Sequence, residues 1–174
     1  MLAVSGQLDS AMGGSLLKVK NRGYLFDHTS TDLTDYTSRR RSLYLPVIRN
    51  NVYDVFQLLD FPDPAIPSGD RSSTTIAPQA LLMLNSDLVM QAAADFAERL
   101  LEGPGTDAEK LQQMHLLAFG RPASPDEIVA STKFLAATQT SLAGDQNDER
   151  ECRHQAWSIL CQTILASSEF IYVQ

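Results

Sequence analysis

The sequence predicts a mainly α protein: a helical bundle of four to five helices over about residues 74–167, behind an irregular, partly extended N-terminal region. Three observations predict it. Thr106-Asp107-Ala108-Glu109 and Ser124-Pro125-Asp126-Glu127 have the capping-box pattern, in which a hydroxyl and a carboxylate three residues apart satisfy each other's backbone N–H groups. Apolar residues after position 74 recur at three- to four-residue spacing, the period of one helical face. Gly103-Pro104-Gly105 and Gly120-Arg121-Pro122 break the pattern at short intervals, and short connections set neighbouring helices antiparallel.

Taken in order, Leu2-Ala3-Val4 reads as the last turn of a helix, which makes Met1 a cut in a longer protein. The glycines up to Gly23 suit loops, and the Asp, Ser and Thr residues of 24–41 compete for backbone hydrogen bonds and favour turns. Leu43 to Ile48 is β-branched and aromatic enough for a short strand, which Pro46 restricts to a sheet edge. Val52, Val55, Phe56 and Leu59 predict a short helix capped by Asn50 or Asn51. A proline-rich break then runs from Asp60 to the helix start at Thr74 or Thr75, with Pro78 in the first turn of that helix.

Leu81, Leu82, Met83 and Leu84 are apolar on nearly all sides, which predicts a helix buried all round at the centre of the core. Asn85-Ser86-Asp87 breaks and recaps it, and Val89, Ala92 or Ala93, Phe96 and Leu100 form a one-sided stripe on the next helix. Leu111, Met114, Leu117 and Ala118 face inward from the third helix, and Ile128, Phe134 and Leu135 from the fourth. His154, Trp157, Leu160, Cys161, Ile164 and Leu165 line the last helix, and the apolar end Phe170 to Val173 docks. Residues 1–73 are expected as an arm packed on a bundle of 74–174, together one structural unit at the C-terminal end of a larger protein.

The net charge of −7 is unevenly spread: residues 1–50 carry +3 and residues 51–174 carry −10. A basic front can pack on an acidic body, and an acidic body is a poor surface for nucleic acid. No apolar run reaches the roughly 20 residues that cross a bilayer. Cys152 and Cys161 are nine residues apart on one predicted helix, pointing to opposite faces about 13 Å apart along the axis, so they read as two free thiols.

Phosphate loops, nucleophile elbows, zinc-protease helices, EF-hand loops and C-x-x-C-H strings are all missing, so no catalytic or metal-binding residue is assigned and no cofactor is expected in this chain. The best ligand candidates are Asp60, Asp63, Asp70 and Arg71, with His28 as a further member. There a proline-stiffened loop holds carboxylates beside a guanidinium, although the same aspartates also read as turn caps paired with arginines. Arg39, Arg40 and Arg41 form a basic cluster and are the docking candidates, with an internally paired turn as the structural alternative.

Asp60-Phe61-Pro62-Asp63-Pro64, Arg71 to Leu81, Leu117 to Pro122, Ser167 to Val173, Arg40 to Tyr44 and Leu2 to Asp9 together resemble a known pattern. It is the C-terminal planctomycete-specific domain of unknown function found in large exported proteins that also carry a cytochrome-c-like domain. The resemblance implies an extracytoplasmic location and haem, if anywhere, in an N-terminal part outside this chain. It also implies a setting near polysaccharide, and it carries over no catalytic residue. The expected role is a non-catalytic module that docks on other domains of its parent or on a protein partner. The alternative is a polysaccharide-binding or hydrolytic site on loop 60–71.

Overall fold

A computed structural model describes residues 1–14, 16, 36–48, 52–62, 69, 77–144 and 148–172. The chain divides into two compact units, Met1–Gln7 with Ala80–Gln174, and Leu8–Gln79. Its helices are α1 (Leu2–Ser5), α2 (Asp54–Leu58), α3 (Ala77–Asn85), α4 (Asp87–Glu102), α5 (Asp107–Phe119), α6 (Pro125–Leu142), α7 (Glu149–Leu165) and α8 (Ser168–Ile171), with a 3-10 turn at Ser42–Tyr44. The architecture is mainly helical, as the sequence predicts, and five of the helices have nine residues or more.

In the helical unit α4 packs most extensively on α7, and α7 also contacts α5, α6 and α8. The pairing follows from side-chain size: α4 offers Ala92, Ala93 and Ala97 between Val89, Phe96 and Leu100, all buried. Such small residues leave room for the indole of Trp157, which is fully buried in the same core with Leu160, Cys161 and Leu165. Because α7 has neighbours on several sides, Cys152 and Cys161 are both buried despite their half-turn difference in phase. The two cysteines form no disulfide, and burial pushes the Cys161 thiol well above its ordinary value.

The two predicted capping boxes close as written. Thr106 Oγ1 accepts the Glu109 N–H while Glu109 accepts the Thr106 N–H, and Ser124 and Glu127 do the same for α6. Asp148 caps α7 by accepting the Arg150 N–H at 2.9 Å.

Three helix C-termini, those of α1, α3 and α4, are closed by side chains from other helices. The last carbonyls of a helix lack intrahelical partners and carry the negative end of its dipole. Arg99 of α4 donates to Val4 O at 2.6 Å and to Ala3 O at 3.3 Å, closing α1, whose chain leaves through Gly6 at φ 80°. Gln162 of α7 donates to Leu84 O at 2.8 Å and Met83 O at 3.4 Å, closing α3. Lys110 of α5, itself buried, donates through Nζ to Leu100 O at 2.7 Å, to Leu101 O at 3.1 Å and to Gly103 O, closing α4.

Three expectations are corrected. Helix α3 is not the buried centre: Leu81 and Leu84 are 59% and 57% exposed, and of its apolar run only Met83 is buried. A nine-residue helix has too little length to be enclosed, and the 17-residue α7 takes the central place. The segment from Leu43 to Ile48 is not a strand, since a 3-10 turn occupies Ser42–Tyr44 and no strand occurs among the described residues. Phe134 is 37% exposed, because the inward face of α6 runs through Ile128, Ser131 and Leu135, and the residue before Leu135 lies about 100° away.

Other calls fall differently or out of view. Tyr53 is the N-cap of α2, with no side-chain capping bond, while Asn50, Asn51, Thr74 and Thr75 lie outside the described residues. Phe170 packs on the core from a short helix, α8. No helix among the described residues is long and apolar enough to cross a membrane.

Candidate functional site

Among the described residues of Leu8–Gln79, several polar contacts meet at Tyr44. Asp9 and Arg40 form an isolated parallel bridge, with the Asp9 N–H donating to Arg39 O at 2.9 Å. Gly13 and Gly14 follow at φ 76° and 74°, a left-handed turn that side chains with a Cβ resist. Arg40 Nη2 donates to the carbonyls of Ala11 at 2.8 Å and Gly13 at 2.6 Å. Its Cζ sits 4.0 Å from the centroid of the Tyr44 ring, a cation–π contact. Arg40 is thus a clamp on loop 9–14.

Its neighbours behave otherwise. Arg39 is exposed. Arg41 Nη2 reaches the Tyr44 hydroxyl at 3.4 Å, its Cζ lies 5.4 Å from the same ring centroid, and its buried Nε has no acceptor among the described residues. The Tyr44 oxygen also accepts the Gly13 N–H at 3.3 Å.

A run of four aromatic rings supports the same unit. Tyr36 stacks on Tyr53 at 4.3 Å, Tyr53 meets Phe56 edge-on at 5.6 Å, and Phe56 stacks on Phe61 at 5.2 Å. Burial, followed by the charge of Asp54, raises the Tyr53 phenol above its ordinary value. Asp60, between Phe56 and Phe61, sits at φ 58°, a left-handed conformation that Asp tolerates better than most residues, and its Oδ2 accepts from the buried Gln79 amide at 3.4 Å. The structure therefore joins Asp60 to Gln79. Asp63, Asp70, Arg71 and His28 lie outside the described residues. No group of three or more His, Cys, Asp or Glu side chains placed to hold a metal occurs among the described residues.

Among the described residues of the helical unit, Arg121 centres an ion network that sequence reasoning did not assemble. Gly120, at φ 70°, ends α5 and turns Arg121 outward. Arg121 donates to Glu169 of α8 at 2.7 and 2.8 Å and to Glu127 of α6 at 2.8 and 3.0 Å. Gln112 fixes the corner below by accepting the Ala123 N–H at 2.9 Å and donating to its carbonyl at 3.2 Å. Hydrogen bonds from Arg121 hold the Glu127 carboxyl well below the usual carboxylate range, with the Ser124 N–H adding to the effect, and lower the Glu169 carboxyl as well. The guanidinium is raised in return. The available signal was the pair of strings, Leu117 to Pro122 and Ser167 to Val173, which contribute the arginine and one carboxylate.

Both carboxyls sit below their unfolded values. Their contribution to holding α8 is therefore complete above the ordinary glutamate value of about 4.3 and is lost as pH falls toward the folded values. Amide chemical shifts of α8 are expected to move toward coil values on acidification below about pH 4, and to do so at neutral pH in Arg121→Met. Shifts that stay native in that variant would remove the latch.

The model of a family described as a protein of unknown function (DUF1553) matches residues 1–135. This chain belongs to that family. The DUF1553 match takes in the arginine cluster, Asp60, the start of α3 and the Arg121 corner, while Glu169 and all of α7 and α8 lie beyond it. No curated protein and no solved structure matches the chain.

Proposed function

We propose that this DUF1553 chain is a non-catalytic docking module of a larger exported protein that also carries a cytochrome-c-like domain. In this reading it works outside the cytoplasm, it binds no cofactor itself, and haem belongs to another part of the parent. Its partner is that haem-bearing part. The observation that supports docking is α3. Its nine residues, Ala77–Asn85, carry no charged side chain, and Leu81 and Leu84 stand exposed three residues apart on neighbouring positions of one face. Exposed leucines paired in this way, on a helix fastened at its C-terminus by Gln162, make a firm apolar anchor of the kind that dominates interfaces.

Calorimetry of the full chain against the haem-containing part of its parent is expected to show saturable binding. Leu81→Glu with Leu84→Glu should weaken it at least tenfold, or about 1.4 kcal/mol, with an unchanged melting curve, since neither side chain is in the core. Absence of binding by the native chain, or equal binding by the double variant, would refute the role of α3. The polysaccharide alternative rests on loop 60–71, of which the described part shows Asp60 engaged by Gln79.

A further inference from the structure

Arg40 and Arg41 direct two guanidinium groups at one phenol ring, with Cζ atoms 4.0 and 5.4 Å from its centroid. Two neighbouring cations repel, and a protein ordinarily places a carboxylate between them. Here no carboxylate pairs with either arginine among the described residues, and the nearby Asp9 Oδ1 accepts the Ala11 N–H at 2.8 Å. Arg40 meets its needs with backbone carbonyls. Among the described residues Arg41 does not: of its five N–H donors only Nη2 finds an acceptor there, at 3.4 Å, and Nε is buried without one. A buried donor on a charged group left unpaired is costly, and native proteins resolve it with a partner. The hydroxyl of Tyr44 completes the picture, since its oxygen already accepts from Gly13 and Arg41 and its own proton is left to donate.

We propose that Arg41, with the Tyr44 hydroxyl, forms a binding site for a single oxyanion. The chemistry that fits is a planar or tetrahedral group with two adjacent oxygens, a carboxylate or a sulfate, taken side-on by the Nε and Nη2 edge of the guanidinium. Binding relieves the repulsion between Arg40 and Arg41 and gives Nε its acceptor, so the anion also tightens the clamp on loop 9–14. This site is independent of α3 and stands whether or not the module docks through that helix.

The test is a titration of the full chain with sodium sulfate, and separately with sodium acetate, at constant ionic strength made up with chloride. The Arg Nε–H resonances are followed by nuclear magnetic resonance. The Arg41 Nε–H signal is expected to move downfield and to saturate. Tyr44→Phe should weaken the response severalfold, and Arg41→Lys, which keeps the charge but loses the planar fork, at least tenfold. Preference for acetate over sulfate would identify a carboxylate ligand, and the reverse a sulfated one. A linear, unsaturated shift, or equal saturation in Arg41→Lys, would overturn the site.

Discussion

Replacing Trp157 by alanine is expected to lower the unfolding free energy by about 3–5 kcal/mol. The indole is fully buried at the contact between α4 and α7, where alanines on α4 have made room for it, so its removal leaves a cavity that backbone-close helices cannot collapse to fill. The same site permits a sharper comparison. The Trp157 Nε1–H is buried and has no acceptor among the described residues. Trp157→Phe therefore gives up volume but no hydrogen bond, and should cost only about 1–2 kcal/mol. Urea unfolding of the three proteins checks this, with unchanged slopes confirming that stability alone has moved. A phenylalanine variant as damaged as the alanine one would mean that the indole N–H is bonded in solution.

The second large effect belongs to Lys110. Its ammonium serves the carbonyls of Leu100, Leu101 and Gly103, and Lys110→Met keeps the aliphatic stem while stripping these charge-assisted bonds away. With a bond to a charged group contributing about 1.5–3 kcal/mol and a buried carbonyl left unpaired costing a similar amount, a loss of roughly 2–4 kcal/mol is expected. The comparison is Gln113→Met on the same helix, whose position is exposed and should be nearly silent. If the two variants unfold at the same urea concentration, the closure of α4 by Lys110 contributes nothing.

How much of this was legible depended on how local the interaction is. The starts of α5 and α6 could be read directly, because a capping box is complete within four residues. The ends of α1, α3 and α4 could not, because Arg99, Gln162 and Lys110 reach them from other helices, and a lysine at position 110 looks like any surface lysine until the carbonyls are beside it. The centre of the core was misassigned for a related reason. Apolar density marks α3, but enclosure depends on length and neighbours, and α7 is enclosed although polar residues such as Gln155 and Ser158 interrupt its sequence. In the candidate site the string Arg39-Arg40-Arg41 was visible as a cluster, whereas its division of labour depends on the Gly13 turn and the ring of Tyr44.

The family match ends at Leu135, a buried residue in the middle of α6. The stretch that the family model matches is thus shorter than the stretch that closes the core. A gene fragment cut at that point would encode Val89, Phe96 and Leu100 without the helix that covers them, and its product would present a sticky apolar face in place of a finished domain. Any transfer of this domain between proteins has to carry the stretch through α8 along with the matched segment.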